Sequence, residues 1–223
     1  MAGPVLPLIV LPQQDHPFAR VQVNDETVSL MAGLIGIERD LLLGQLFLKD
    51  GLVSAEGSHF THPRHDNFPA IKDGLAKSGA PDLEPLLIAL EEAKDRDAVN
   101  SAYNGVQGGL LLAKQALKPT EQDITKAVIQ TAEAATALLD PSGMTDVVAY
   151  QEAWGLLMVA RGQLDSLMRS ADPTIKQSAT KMALAFDDVI LFAPDPGASG
   201  PVKFDPGLVT SLVETLRGNS GSI

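Results

Sequence analysis

The amino-acid sequence predicts an all-α fold, and three observations favour it. The apolar residues are mostly Leu, Ala and Val, and aromatic residues make up only 4% of the chain, which favours packed helices over sheets. From residue 25 onward, segments with helical apolar spacing alternate with Pro, Gly and capping residues. The connections between these segments are short, so we expect an antiparallel bundle of about seven helices with an extended N-terminal arm.

The chain is expected to divide into three parts. Residues 1–24 form the extended arm, because three prolines in the first twelve residues break a helix there. No basic residue precedes the apolar stretch of this arm, so it is not expected to be a secretion signal or a membrane anchor. Residues 25–193 form the helical bundle, and residues 194–223 form a Pro/Gly loop followed by a short C-terminal helix.

The first helix is expected between Asp25 and Gly51. It opens with a capping residue and early acids and closes with Lys49 before the glycine, the order that helix-end chemistry favours. Its middle is apolar nearly all round, which is typical of a buried central helix. Three consecutive charged residues interrupt this apolar middle, and they either pair internally or face a solvent edge: Glu38, Arg39 and Asp40.

Prolines and capping residues locate the later helices. Pro63 is expected to start a helix that runs toward Gly79 and is bent or reset at Pro69. Further helices are expected to begin at Thr120, a capping residue, and at Pro173.

The last part of the chain is rich in Pro and Gly. Residues 194–207 have no apolar period and are expected to form a loop. A short amphipathic helix is expected from Leu208 to Leu216, and no strand pair is predicted after the N-terminal arm.

Composition excludes several classes of function. The net charge of -11 repels phosphate backbones and anionic lipid, so neither nucleic acid nor a membrane surface is an expected partner. No run of apolar residues reaches the length of about 18 that a membrane span needs. The absence of cysteine excludes disulfides, thiolate nucleophiles and thiolate metal sites. Phosphate-loop, dinucleotide-binding and hydrolase motifs are also missing, so a non-enzymatic function is favoured over catalysis.

One short stretch, EGSHFTHPRHD at residues 56–66, contains three of the four histidines of the chain. Residues three or four apart share a face of a helix, so Glu56 and His59 are expected to converge. Pro63 resets the backbone, which turns the ring of His62 back toward His59 and leaves His65 nearer to solvent. The alternative interpretation is that these histidines are helix-cap partners or solvated side chains.

Imidazole and carboxylate side chains together are suited to a divalent transition metal such as Zn, Cu or Fe. The spacing differs from that of the zinc-protease motif, in which a general base lies between two histidine ligands. Helical bundles build metal sites from inward-facing carboxylates, so acids on neighbouring helices are expected to complete the ligand set. The predicted metal ligands are His59, His62, Asp40, Glu56, Glu152 and His65.

Three blocks of the sequence resemble an uncharacterised bacterial family of small, helical, exported proteins. The blocks are RDLLLGQLFLKDG, HFTHP and AYQEAWGLLMVARGQL, and the resemblance spans roughly residues 30–165. The His-Phe-x-His-Pro block of that family falls on His59 and His62. An earlier histidine of the family falls on Asp40, and the last acid of its Glu-Tyr-Gln-Asp block falls on Glu152. The resemblance implies a helical fold and a periplasmic location, with the cytoplasm as the alternative.

Two hypotheses of function follow. The first is a non-catalytic, exported protein that binds a metal ion or, less favoured, haem through His59 and His62. The second is a structural subunit that docks on a protein partner through the N-terminal arm and the Pro/Gly loop, because apolar or irregular segments often order only against a partner.

Overall fold

The all-α prediction is confirmed by a computed structural model of the chain, which describes residues 26–48, 59–221 and 223. The described residues form eight α-helices, two short helical turns and two very short strands. The predicted N-terminal arm and Glu56 lie outside the described residues. Within the described ranges, no helix has both the length and the apolar character that crossing a membrane requires.

The helices are numbered in chain order. They are α1 (Glu26–Leu46), α2 (Phe68–Lys77), α3 (Glu84–Glu91), α4 (Arg96–Leu117), α5 (Glu121–Leu138), α6 (Val147–Met168), α7 (Pro173–Phe192) and α8 (Pro206–Ser220). A 3-10 turn (His59–Thr61) and a π-helical segment (Pro63–Asn67) lie between α1 and α2. The strands are β1 (Met144–Thr145) and β2 (Val202–Lys203).

Capping side chains begin several helices where the sequence predicts them. Thr120 accepts a hydrogen bond from the backbone N–H of Asp123, and the Asp123 side chain accepts one from the Thr120 backbone, which is a complete capping box for α5. Asp172 accepts a hydrogen bond from the Thr174 backbone N–H at 2.8 Å, and α7 starts at Pro173 as expected.

Two apolar clusters form the core. One cluster is built mainly from α5, α6, α7 and α8, and the other mainly from α1, α2, α3 and α4. Helix α1 packs against both α5 and α6, so it connects the two clusters. Its central residues are almost all buried, as the apolar middle of its sequence predicts.

The prediction of no strand pair after the arm is wrong at one place. Strands β1 and β2 pair antiparallel, with Met144 opposite Lys203 and Thr145 opposite Val202. A ladder of two residues per strand is too short to show the alternating pattern by which a strand is recognised in a sequence. The ladder ties the Pro/Gly loop to the connection between α5 and α6.

Candidate metal centre

The centre starts from a carboxylate in the buried middle of α1. Asp40 has no exposed surface, and the neighbouring residues Arg39 and Leu41 are buried as well. Gly44 lies four residues later, so it shares a face of the helix with Asp40. This face receives the chain segment that carries the histidines.

Phe60 anchors the 3-10 turn against α1. Its ring is 1% exposed and lies directly over Gly44, where a Cβ atom would overlap the ring. Only glycine leaves this space free, so the absence of a side chain at residue 44 is what admits the turn. Because Phe60 packs at this position, the adjacent His59 lies close to Asp40.

The π-helical segment follows His62 directly in the chain, and its contacts fix the position of His62. Asn67, at the end of the segment, donates a hydrogen bond from Nδ2 to Asp40 Oδ2 at 2.6 Å. Arg64 Nη1 donates to Glu91 Oε2 on α3 at 2.8 Å. The segment is therefore attached to α1 at one end and to α3 in its middle, and His62 immediately precedes it.

These contacts bring Asp40, His59 and His62 together. Each offers one ligand atom, and the three atoms lie within 4.8 Å of one another. The two imidazole rings meet edge to face, with centroids 5.1 Å apart. His59 is buried and His62 is half-buried, so the group lies just below the protein surface.

The state of His59 suits metal coordination. Its Nδ1 is buried and has no hydrogen-bond partner among the described residues, and the ring of Phe47 lies 6.0 Å away. Burial lowers the pKa of His59 to about 4, and the nearby His62 and Arg39 act in the same direction. The ring is therefore neutral at pH 7, and a neutral imidazole has a lone pair free for a metal.

Asp40 is held by three hydrogen bonds. Arg39 donates to Oδ1 from Nε at 2.9 Å and from Nη2 at 2.6 Å, and Asn67 donates to Oδ2. Burial raises the pKa of Asp40 to about 7, while the positive charge and the hydrogen bonds of Arg39 oppose this increase. Such support of a carboxylate is typical of metal ligands, whose orientation is set by hydrogen bonds from neighbouring groups.

The charged trio of α1 pairs rather than facing solvent. Arg39 binds Asp40, as described, and Glu38 accepts hydrogen bonds from Lys114 Nζ at 2.6 Å and from Gln163 Nε2 at 2.9 Å. Of the two alternatives for this trio, the structure shows pairing, with Glu38 directed toward α4 and α6.

The other predicted ligands lie elsewhere. Glu152 is outside the group of three ligand atoms, and its Oε2 is 3.7 Å from Arg39 Nη1. His65 is 56% exposed, and its Nε2 is hydrogen-bonded to Glu91 Oε1 at 2.9 Å. Glu152 lies where it does because Arg39 attracts its carboxylate, and His65 lies where it does because it binds Glu91. Glu56 lies outside the described residues.

Sequence reasoning misses two residues that build this site. Asn67 has no signal of its own, because its role depends on the π-helical segment that directs its amide to Asp40. Gly44 has a weak signal, since a glycine in the middle of a helix costs stability and so usually has a packing reason.

Comparison of the chain with known protein families, curated proteins and solved structures finds no match.

Proposed function

We propose that this chain is a non-catalytic metal-binding protein that holds one divalent first-row transition ion on Asp40, His59 and His62. The observation that carries the proposal is the convergence of the three ligand atoms within 4.8 Å, in a site that contains a buried ring nitrogen with no hydrogen-bond partner among the described residues. Buried polar atoms normally have a partner, and a bound ion supplies one.

The dimensions of the group support the proposal. Zinc binds histidine nitrogens and carboxylate oxygens at about 2.0–2.2 Å, which places neighbouring ligand atoms roughly 3.5 Å apart in a tetrahedral site. Side-chain rotations that move the ligand atoms by about 1 Å are enough to reach this spacing from the observed one. Two imidazoles and a carboxylate without thiolate are suited to Zn, Cu(II) or Fe(II).

The burial of the ligands supports binding over catalysis. Asp40 and His59 are both buried, and the ring of Phe47 contacts the His59 ring. Ligands buried in this way hold an ion and leave little room for a substrate beside it.

The proposal includes the architecture and the compartment that the sequence predicts. We propose that the helices form an antiparallel bundle around this centre and that the protein is exported to the periplasm. The support for export is the resemblance of the HFTHP block and its flanking segments to an exported bacterial family.

The experiment is a zinc titration in competition with a chromophoric chelator, together with elemental analysis of the dialysed protein. The wild type is expected to bind one zinc ion per chain. His62→Asn removes a ligand and is expected to weaken binding by on the order of 100-fold or more, since even residues behind the ligands contribute 10- to 100-fold.

His65→Asn is the matched control. It changes a histidine three residues away that binds Glu91 and is exposed, so zinc affinity is expected to stay at the wild-type value. A wild-type protein that binds no zinc, copper or iron contradicts the proposal. Equal affinities of wild type and His62→Asn contradict it as well.

A further inference from the structure

Arg39 connects the proposed metal centre to α6. Arg39 is 5% exposed, and its side chain passes α6 at Gly155, where a Cβ atom would lie only 2.9 Å from Arg39 Cγ. The guanidinium donates two hydrogen bonds to Asp40 Oδ1, and its Nη1 lies 3.7 Å from Glu152 Oε2 on α6. Arg39 therefore lies between two carboxylates, one of which is a proposed ligand.

The positive charge of Arg39 affects how well the proposed site can hold a cation. Arg39 carries a positive charge directly beside Asp40 and so offsets the negative charge that this proposed ligand offers to an ion. A divalent cation bound to Asp40 would lie close to this buried positive charge, which is unfavourable because buried charges need partners of opposite sign. Glu152, whose side chain is 24% exposed, places a negative charge 3.7 Å from Arg39 Nη1.

The hydrogen bonds of Asp40 leave room for a metal. Both bonds from Arg39 reach Oδ1, whereas Oδ2 accepts one bond from Asn67. A carboxylate oxygen has two lone pairs, so Oδ2 keeps one for an ion. A second negative charge beside Arg39 weakens the effect of its positive charge on Asp40. The free lone pair on Oδ2 then binds a cation more strongly.

We infer that Glu152 is a positioning residue of the metal centre: it does not touch the ion, and it raises metal affinity by neutralising Arg39. The inference rests on the proposed function and assigns Glu152 a different role from the ligand role predicted from the sequence. The 3.7 Å contact with Arg39 Nη1, together with the absence of Glu152 from the group of ligand atoms, supports this role.

The experiment uses Co²⁺, because its visible absorption reports the ligand set and its titration reports affinity. Glu152→Gln is expected to weaken Co²⁺ binding roughly 10- to 100-fold, the usual effect of changing a group behind a metal ligand. The absorption spectrum at saturation is expected to match that of the wild type, since the ligands are unchanged. Glu152→Asp keeps the charge and is expected to recover most of the affinity.

Two further variants serve as controls. Glu133→Gln removes a carboxylate that binds an arginine elsewhere, Arg217 at 2.7 Å, and is expected to leave Co²⁺ binding unchanged. His62→Asn removes a ligand and is expected to change the spectrum.

The outcomes separate this inference from the proposed function. Failure of the wild type to bind Co²⁺ overturns both. Wild-type binding with an unchanged affinity in Glu152→Gln overturns only the role of Glu152. A changed spectrum in Glu152→Gln shows that Glu152 is a ligand and also overturns the inference.

Discussion

At the scale of single residues, Gly44 is the position on which the seating of the histidine turn depends. A side chain there would overlap the ring of Phe60, which is among the most deeply buried side chains of the chain. Phe60 follows His59 directly, so a displacement of Phe60 displaces a proposed ligand.

Gly44→Ala is expected to lower the free energy of unfolding by about 1–3 kcal/mol, the usual cost of forcing an extra methyl group into a packed core. Zinc affinity is expected to fall in the same variant, because the turn that carries His59 moves. Urea unfolding followed by circular dichroism measures the first effect.

Gly108→Ala is the control for this substitution. Gly108 lies inside α4, and a Cβ atom there would meet nothing within 4 Å. Alanine is a better helix former than glycine, so this variant is expected to be more stable by up to about 1 kcal/mol. A Gly44→Ala protein as stable as Gly108→Ala contradicts the role assigned to Gly44.

The sequence predicts His59 and His62 as the first ligands, with Asp40 as one of three acids expected to complete the site, and the reasons are physical. A charge within an apolar helix must find a partner, and a proline one residue after His62 turns the chain at the place where the histidines cluster. The partners of Glu152 and His65 are not predictable in this way. Each depends on which charged side chain a distant helix brings near, Arg39 in one case and Glu91 in the other.

At the scale of elements, the π-helical segment is the connection that attaches the histidine turn to the rest of the fold. Glu91 of α3 binds two side chains of this segment, Arg64 and His65. Their hydrogen bonds hold the pKa of Glu91 below its usual value. A carboxylate with a lowered pKa in the folded state stabilises the protein above its unfolded pKa of 4.5.

Glu91→Gln is therefore expected to be less stable than the wild type at pH 7, by less than about 1 kcal/mol, because the pair is partly exposed. The difference is expected to shrink as the pH falls from 4.5 through the lower folded-state pKa of Glu91, where its carboxylate becomes protonated in the wild type. Urea unfolding of both proteins between pH 3 and pH 7 measures the effect.

Glu92→Gln is the control, since Glu92 is adjacent and exposed. Its stability difference from the wild type is expected to be small. If the difference in unfolding free energy between Glu91→Gln and the wild type does not shrink at low pH, the ionised Glu91 does not stabilise the π-helical segment.

Most helices follow from the sequence because each one carries local signals, such as the capping box at Thr120 and the proline at residue 173. The helix expected to run from Pro63 has a different start, because residues 63–67 are π-helical and α2 begins only at Phe68. The last helix is also longer than expected and runs from Pro206 to Ser220. The exact ends of these helices depend on tertiary contacts, and the local sequence does not determine such contacts.

At the scale of the whole molecule, the proposed centre lies on the helix that connects the two apolar clusters. Helix α1 contacts α2 and α4 of one cluster and α5 and α6 of the other. An ion held by α1 and by the segment before α2 would fasten this central helix to its neighbours, so metal binding is expected to stabilise the fold as a whole.

The alternative hypothesis of a docking subunit stays a prediction. Its N-terminal arm lies outside the described residues. Its second contact segment, the Pro/Gly loop, is bound within the chain, since Tyr150 donates a hydrogen bond to the Pro194 carbonyl at 2.6 Å and Gln151 donates one to the Pro196 carbonyl at 2.8 Å. These contacts show that this part of the loop already has partners in its own chain.

The most direct test of the metal centre is anomalous diffraction from crystals grown with zinc, measured on both sides of the zinc absorption edge. We expect one strong peak per chain, at about 2.0–2.2 Å from an oxygen of Asp40 and from one ring nitrogen each of His59 and His62. A crystal grown under these conditions with no peak at this position, or with its peaks only at exposed surface carboxylates, would contradict the account.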